Sequence, residues 1–285
     1  MSRKDDMVPF NPQSKTQNPK SAKLIAMCGK GGTGKTALTA LLTKHILRRG
    51  DRKLLVIDAD PAMSLPSALG VEVTKTVSQI RERLIREARS AGKGEKQQMA
   101  RSLDYMLLEA LIETDSFSML VMGRPDSLGC YCPVNDLLRD GIETIAENFK
   151  TVLIDGEAGI EQISRQVIRS VDMPVIVSDL SARGLQTASA IKRLVESHKI
   201  IKYKKLGLVI NRVRGNGHGD WSNSGESDFL EHARQAGLEL LGWIPEDENI
   251  ARFDMQARPL LELADDSPAF VAVGGIFSRL GIDSM

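Results

Sequence analysis

Two lysines, two threonines and four glycines fall within eight residues, Gly29-Lys30-Gly31-Gly32-Thr33-Gly34-Lys35-Thr36. The spacing G-x-x-x-x-G-K-[ST] is that of a phosphate-binding loop. Its glycines let backbone N–H groups wrap phosphate oxygens, and a helix starting at the loop adds a favourable dipole. Lys35 is expected to reach the β- and γ-phosphates of a nucleoside triphosphate, and the Thr36 hydroxyl to ligate magnesium. The nucleotide-binding set runs from Gly29 through Ala37. Two carboxylate clusters follow, Asp58-Ala59-Asp60-Pro61 and Asp155-Gly156-Glu157-Ala158-Gly159. Either alone reads equally well as a helix N-cap. Beside a phosphate loop, both read as oxygen donors at strand ends, where open α/β sheets place their ligands.

A different chemistry is suggested by Gly129-Cys130-Tyr131-Cys132-Pro133. Cys130 and Cys132, one residue apart in a Gly/Pro-bounded turn, suit a single soft cation such as Zn²⁺ or Ni²⁺. One chain then supplies two of the four thiolates that a closed tetrahedral site takes. A two-fold axis joining two copies completes the set. The alternative is a pair of ordinary buried thiols. Cys28, at the end of an apolar run, reads as a small core residue. The histidines (His45, His198, His218 and His232) are scattered over expected helices and loops.

These groups need a scaffold that brings strand ends together. Short apolar runs at Lys23–Cys28, Leu54–Ile57, Phe117–Met122, Thr151–Ile154, Pro174–Val177, Leu206–Ile210 and Leu238–Ile244 read as strands. Helical spacing occupies Thr36–Arg49, Val77–Thr114 (as two helices around Gly92-Lys93-Gly94) and Pro133–Asn148. Alternation of this kind predicts an α/β fold, a single-domain P-loop NTPase with a mostly parallel sheet flanked by helices on both faces. Residues 1–22 read as a polar, disordered extension before an ATPase domain spanning 23–285, and Gly215–Glu226 as a loop. Asp265-Asp266 reads as a helix start, and Ser267–Leu280 is expected to dock on the sheet.

The second lysine, Lys30, makes the loop resemble the deviant Walker A of the family that includes MinD, ParA, the nitrogenase iron protein and ArsA. The resemblance implies a nucleotide-dependent homodimer in which Lys30 crosses to the partner's phosphates, as an arginine finger does. It implies further that Asp58 sits near the magnesium shell, that Asp60 orients or deprotonates the attacking water, and that Asp155 acts on magnesium. Lys30, Lys35 and Asp60 are then the catalytic set. Asn211 matches the adenine-reading position and Pro245 the segment flanking the base. Gly123 to Arg139, Asp155 to Glu161 and Ile244 to Arg252 also look like the CooC-type ATPases, which help insert nickel into carbon monoxide dehydrogenase. A close relative of those serves acetyl-CoA synthase. That likeness implies a client metalloenzyme of one of these kinds, and ATP, Mg²⁺ and Ni²⁺ or Zn²⁺ as bound species.

Two other functions fit a deviant phosphate loop: a ParA- or MinD-like organiser of DNA or membrane cargo, and an electron-transferring ATPase with an interfacial iron–sulfur cluster. Net charge is +1 and aromatic residues make up 4% of the chain. Neither favours a nucleic-acid surface. The basic run His198–Lys205 reads as a solvated face, and Ser267–Leu280 carries too few basic residues for a membrane-targeting helix. The expectation is therefore a cytoplasmic protein with neither nucleic acid nor membrane as partner.

Overall fold

The computed structural model describes all residues except 1–21, 91–102, 104, 125–131, 158–162, 164–166, 199–201, 215–223 and 283–285. Eight strands form one sheet: β1 (Lys23–Cys28), β2 (Leu54–Asp58), β3 (Ile112–Glu113), β4 (Ser118–Val121), β5 (Thr151–Asp155), β6 (Met173–Ser178), β7 (Gly207–Val213) and β8 (Glu239–Pro245). Their order is β3-β4-β2-β5-β1-β6-β7-β8. Every pairing is parallel except β3 with β4.

Successive side chains of a strand point to opposite faces, so a strand buried on both sides must be apolar throughout. In β1, Ala26 and Cys28 join the core on one face while Ile25 and Met27 join the other. In β2 the same division separates Leu55 and Ile57 from Leu54 and Val56. The first core is covered by α3 (Val77–Ser90), α4 (Cys132–Ala146), α5 (Ala182–His198) and α6 (Ser224–Gln235). The second lies under α1 (Lys35–Arg48), α2 (Ser64–Leu69), α7 (Glu248–Met255) and α8 (Pro268–Leu280). This is the single-domain α/β architecture expected from the alternation of runs.

The expected docking of the C-terminal segment is observed. Phe270, Val273, Ile276, Phe277 and Leu280 of α8 are buried. His45 of α1 lies against Phe277, with ring centroids 4.5 Å apart, and Lys44 Nζ sits 4.6 Å from the Phe270 centroid. Lys44 also pairs with Asp265 at 2.8 Å, so Asp265 holds the approach to α8 against α1. The N-cap of α8 is Ser267, whose hydroxyl donates to the Asp247 carboxylate.

Three local readings differ from the fold. The helical stretch expected to reach Thr114 stops at residue 110, and Ile112–Glu113 pairs antiparallel with β4. Thr114 is the reason: its hydroxyl accepts from the N–H groups of Ser116 and Phe117 and donates to the Phe117 carbonyl, pinning a turn. β7 runs on past Ile210 to Val213, with a register shift against β8 between those residues. The loop expected at Gly215–Glu226 gives way to α6 at Ser224.

Candidate active site

β1 ends at Cys28 and α1 starts at Lys35, so the phosphate loop spans a strand end and a helix start. Gly34 occupies the N-cap of α1 with φ 91° and supplies no side-chain cap, and no acidic residue stands in the first turn. The first N–H groups of a helix have no intrahelical partner, so this end is a donor set facing an anion. Lys35 is buried, and its ammonium group donates to the carbonyls of Gly29 (3.1 Å) and Lys30 (3.3 Å). The Thr33 hydroxyl donates to the Lys30 carbonyl at 2.8 Å, closing the loop on itself. The Lys30 side chain is exposed.

Sheet register sets the carboxylates. Asp58 and Asp155 are paired positions on the neighbouring strands β2 and β5, and Met27 of β1 pairs with Asp155 on its other side. The Thr36 hydroxyl donates to Asp155 Oδ2 at 2.7 Å, and the Thr39 hydroxyl approaches Oδ1 at 3.3 Å. Asp58 is fully buried and accepts from the N–H groups of Asp60 (3.0 Å) and Leu65 (3.2 Å). Asp60 stands at the edge of the adjoining cleft and accepts from the Ala62 N–H at 2.9 Å.

Burial pushes the Asp58 carboxyl up to about 7, and the Asp155 charge beside it adds to the push. Burial likewise raises Asp155 to about 6, against the Thr36 hydrogen bond and the Lys35 charge, which act the other way. A hydroxyl and two carboxyls are hard oxygen donors suited to magnesium, and two neighbouring buried acids whose carboxyls stay raised fit a cation. A divalent cation competes with protons for these groups. Its affinity is therefore expected to rise as pH passes from about 6 to about 7, with net proton release. Calorimetry of Mg²⁺ binding with nucleotide, in buffers of differing ionisation enthalpy, measures that release. Without the cation the sign reverses for stability. The stabilisation from these raised carboxyls is complete below the ordinary value of 3.8 and is lost as pH rises through their folded values.

A cleft of about 770 Å³ extends from the phosphate loop past Asp60 to Asn211, Pro245 and α7. Asn211 Nδ2 donates to the Thr33 carbonyl at 2.8 Å, and Oδ1 accepts from the Arg212 N–H at 2.9 Å. One amide hydrogen and one lone pair then remain for a base edge. This residue therefore ties β7 to the phosphate loop, a role its sequence position did not suggest. Arg212, at the irregular end of β7, has φ 58° and also lines the cleft. Asp247 accepts from the Asn249 N–H at 2.9 Å as the N-cap of α7 and from the Ala269 N–H at 3.2 Å in α8. It thereby joins one cleft wall to the C-terminal helix.

The structure thus brings Lys35, Thr36, Asp58, Asp60, Asp155, Asn211 and Pro245 around one region. Thr39, Arg212 and Asp247 were not singled out from the sequence, although Thr39 stands three residues after Thr36, the spacing of neighbours on a helix surface. Cys130 lies outside the described residues, as do His218 and the side chain of Cys132, which is the first residue of α4. Cys28 is buried, with its thiol pushed up to about 12 by that burial, as befits a core residue. Among the described residues no group of three or more His, Cys, Asp or Glu is set to hold a metal ion.

A glycine-rich loop between strand and helix, with carboxylates at the ends of two adjacent parallel strands, defines a P-loop nucleoside triphosphatase. The chain belongs to the CobQ/CobB/MinD/ParA nucleotide-binding family, whose model matches residues 24–260. It is 38% identical over 260 residues to an uncharacterized ATP-binding protein of Methanocaldococcus jannaschii, covering 90% of this chain and 98% of that one. It is 32% identical over 257 residues to the carbon monoxide dehydrogenase accessory protein CooC of Rhodospirillum rubrum, covering 86% and 90% respectively. Among solved structures, the septum site-determining protein MinD of Pyrococcus horikoshii, complexed with Mg-ADP, superposes with TM-score 0.64 at 21% identity over 91% of this chain and 96% of that one. The protein is accordingly an ATPase.

Proposed function

We propose that this ATPase is an ATP-driven metallochaperone that assists nickel insertion into carbon monoxide dehydrogenase or the related acetyl-CoA synthase complex. The observation that carries the reading is the 32% identity to the CooC accessory protein over 86% of the chain. The Cys-Tyr-Cys sequence leading into α4 supports it. The working unit is the domain expected over 23–285, with Ala22 just before it already buried in the first core, and the setting is cytoplasmic. Among the described residues no helix is long and apolar enough to cross a membrane.

In this reading ATP lies along the cleft with its phosphates in the Gly29–Ala37 loop and its base between Asn211 and Pro245. Thr36, Asp58 and Asp155 would hold magnesium, which would supply positive charge to the phosphates. Lys35 holds the γ-phosphate, and Asp60 orients the attacking water. The exposed Lys30 reaches the partner's phosphates when two copies close. Closing also brings Cys130 and Cys132 of both copies together as a four-thiolate site for Ni²⁺ or Zn²⁺, the cargo. Metal and nucleotide then share one dimer equilibrium, so each tightens the other's binding.

The test is mass in solution and metal content per chain, with and without a non-hydrolysable ATP analogue, for wild type and a Cys130→Ser/Cys132→Ser variant. About one metal per analogue-bound dimer, lost in the variant, is the expected result. Analogue-driven dimerisation with no thiol-bound metal would sink the metallochaperone reading and leave a spatial organiser of the ParA or MinD kind. Iron with acid-labile sulfide at the same thiols would instead mark an electron-transferring ATPase.

A further inference from the structure

We propose that Thr39 is a positioning residue for magnesium: it holds the Asp155 carboxylate in the orientation from which that group serves the cation. The inference rests on the reading of Thr36 and Asp155 as the magnesium-side pair. It goes beyond the phosphate-loop sequence, which ends at Thr36.

Thr39 is fully buried on α1, with the buried polar residues Lys35 and Thr43 one turn to either side and Leu38 and Leu42 beside it. Its hydroxyl lies 3.0 Å from the Lys35 carbonyl of its own helix and 3.3 Å from Asp155 Oδ1. A hydroxyl has one hydrogen, so the two acceptors share it. Bonding back to the carbonyl four residues earlier is a common alternative for threonine in a helix, and the Thr43 hydroxyl makes that bond, to the Thr39 carbonyl at 2.9 Å. What distinguishes Thr39 is the carboxylate oxygen also within its reach.

Thr36 holds Oδ2 and Thr39 approaches Oδ1, so one turn of α1 grips both oxygens of a single carboxylate. An oxygen pinned at one point leaves a carboxylate free to swing about that bond. A second contact on the other oxygen removes the swing. With the Thr36 oxygen serving magnesium, the Thr36 hydrogen would remain on Oδ2 and Thr39 would keep the plane of the carboxylate fixed. Hydrogen-bonded partners of metal ligands act in this way, and their loss commonly costs about tenfold or more in metal affinity.

The test uses full-length protein with ADP and Mn²⁺ in place of magnesium, with Mn²⁺ affinity and signal shape read by electron paramagnetic resonance. Thr39→Val keeps the volume and deletes the hydroxyl. It is expected to weaken Mn²⁺ by about tenfold and alter the signal, while ADP affinity in the presence of a chelator stays at the wild-type value. Thr39→Ser should restore both. Asp155→Asn is the control for the underlying reading. If it leaves Mn²⁺ affinity unchanged, the magnesium assignment itself fails and the proposal with it. If Asp155→Asn weakens Mn²⁺ and folded Thr39→Val does not, only the role of Thr39 is overturned. Should Thr39→Val fail to fold, Thr39→Ala and Thr39→Ser decide the matter: wild-type Mn²⁺ affinity in Thr39→Ala overturns the proposal, and weakened binding in Thr39→Ala with recovery in Thr39→Ser supports it.

Discussion

Lys30→Ala is expected to lower kcat for ATP hydrolysis about a thousandfold, the scale of a cation supplied in trans to phosphoryl transfer, with nucleotide affinity nearly unchanged. The reason lies in how the loop uses this residue. Its carbonyl accepts from Lys35 and from the Thr33 hydroxyl, whereas its side chain is exposed. Alanine keeps the backbone and removes only the ammonium group. Steady-state ATPase rates and equilibrium binding of a fluorescent ATP analogue separate the two effects. A mixture adds a sharper check. In the proposed dimer, Lys30→Ala would have an intact Lys35 and lack only a partner's lysine, which Lys35→Ala would supply. Mixing these two inactive variants should restore activity that neither shows alone. Wild-type turnover in Lys30→Ala, or a mixture that stays silent, would refute transfer of this charge between copies.

Gly29→Ala is expected to abolish ATP binding and to lower the melting temperature. Gly29 has φ 137°, and a Cβ there would lie 2.2 Å from the Val177 carbonyl oxygen and 3.1 Å from its nitrogen. Those are backbone atoms of β6, the strand paired with β1 through Cys28 and Ile176. No rotamer change relieves such a contact, so either the strands part or the loop moves. Backbone strain alone at such a position costs about 1–3 kcal/mol, and displacement of the loop also removes the Gly29 carbonyl from Lys35. Gly275, in α8 and outside the phosphate loop, is the matched control, because a Cβ there meets nothing within 4 Å. Calorimetry with ATP and thermal melts on both variants give the comparison. Normal binding by Gly29→Ala, or a loss as severe in Gly275→Ala, contradicts this expectation.

Much of this site could be read without coordinates because its chemistry is local. The phosphate loop is contiguous, and its spacing alone announces a glycine-rich turn between a strand and a helix that starts at Lys35. The strands declared themselves because a strand buried on both faces is apolar at every position, as Leu54–Ile57 is. Helix starts in polar stretches were harder. α7 depends on an N-cap from Asp247 that also serves α8, and the turn at Thr114 overrode a helical pattern through side-chain hydrogen bonds.

What tertiary structure alone decided is which distant groups meet. Asp58 and Asp155 lie far apart in the chain yet become paired positions because β5 inserts between β1 and β2. Asn211 reaches the Thr33 carbonyl across 178 residues, and Thr39 comes within reach of Asp155 across 116. Composition and periodicity specify that strands and helices form and which faces are apolar. They leave open the order of strands and the register between them, since one buried apolar strand pairs as readily as another. The site's carboxylates owe their alignment, and their raised affinity for protons, to that order and register.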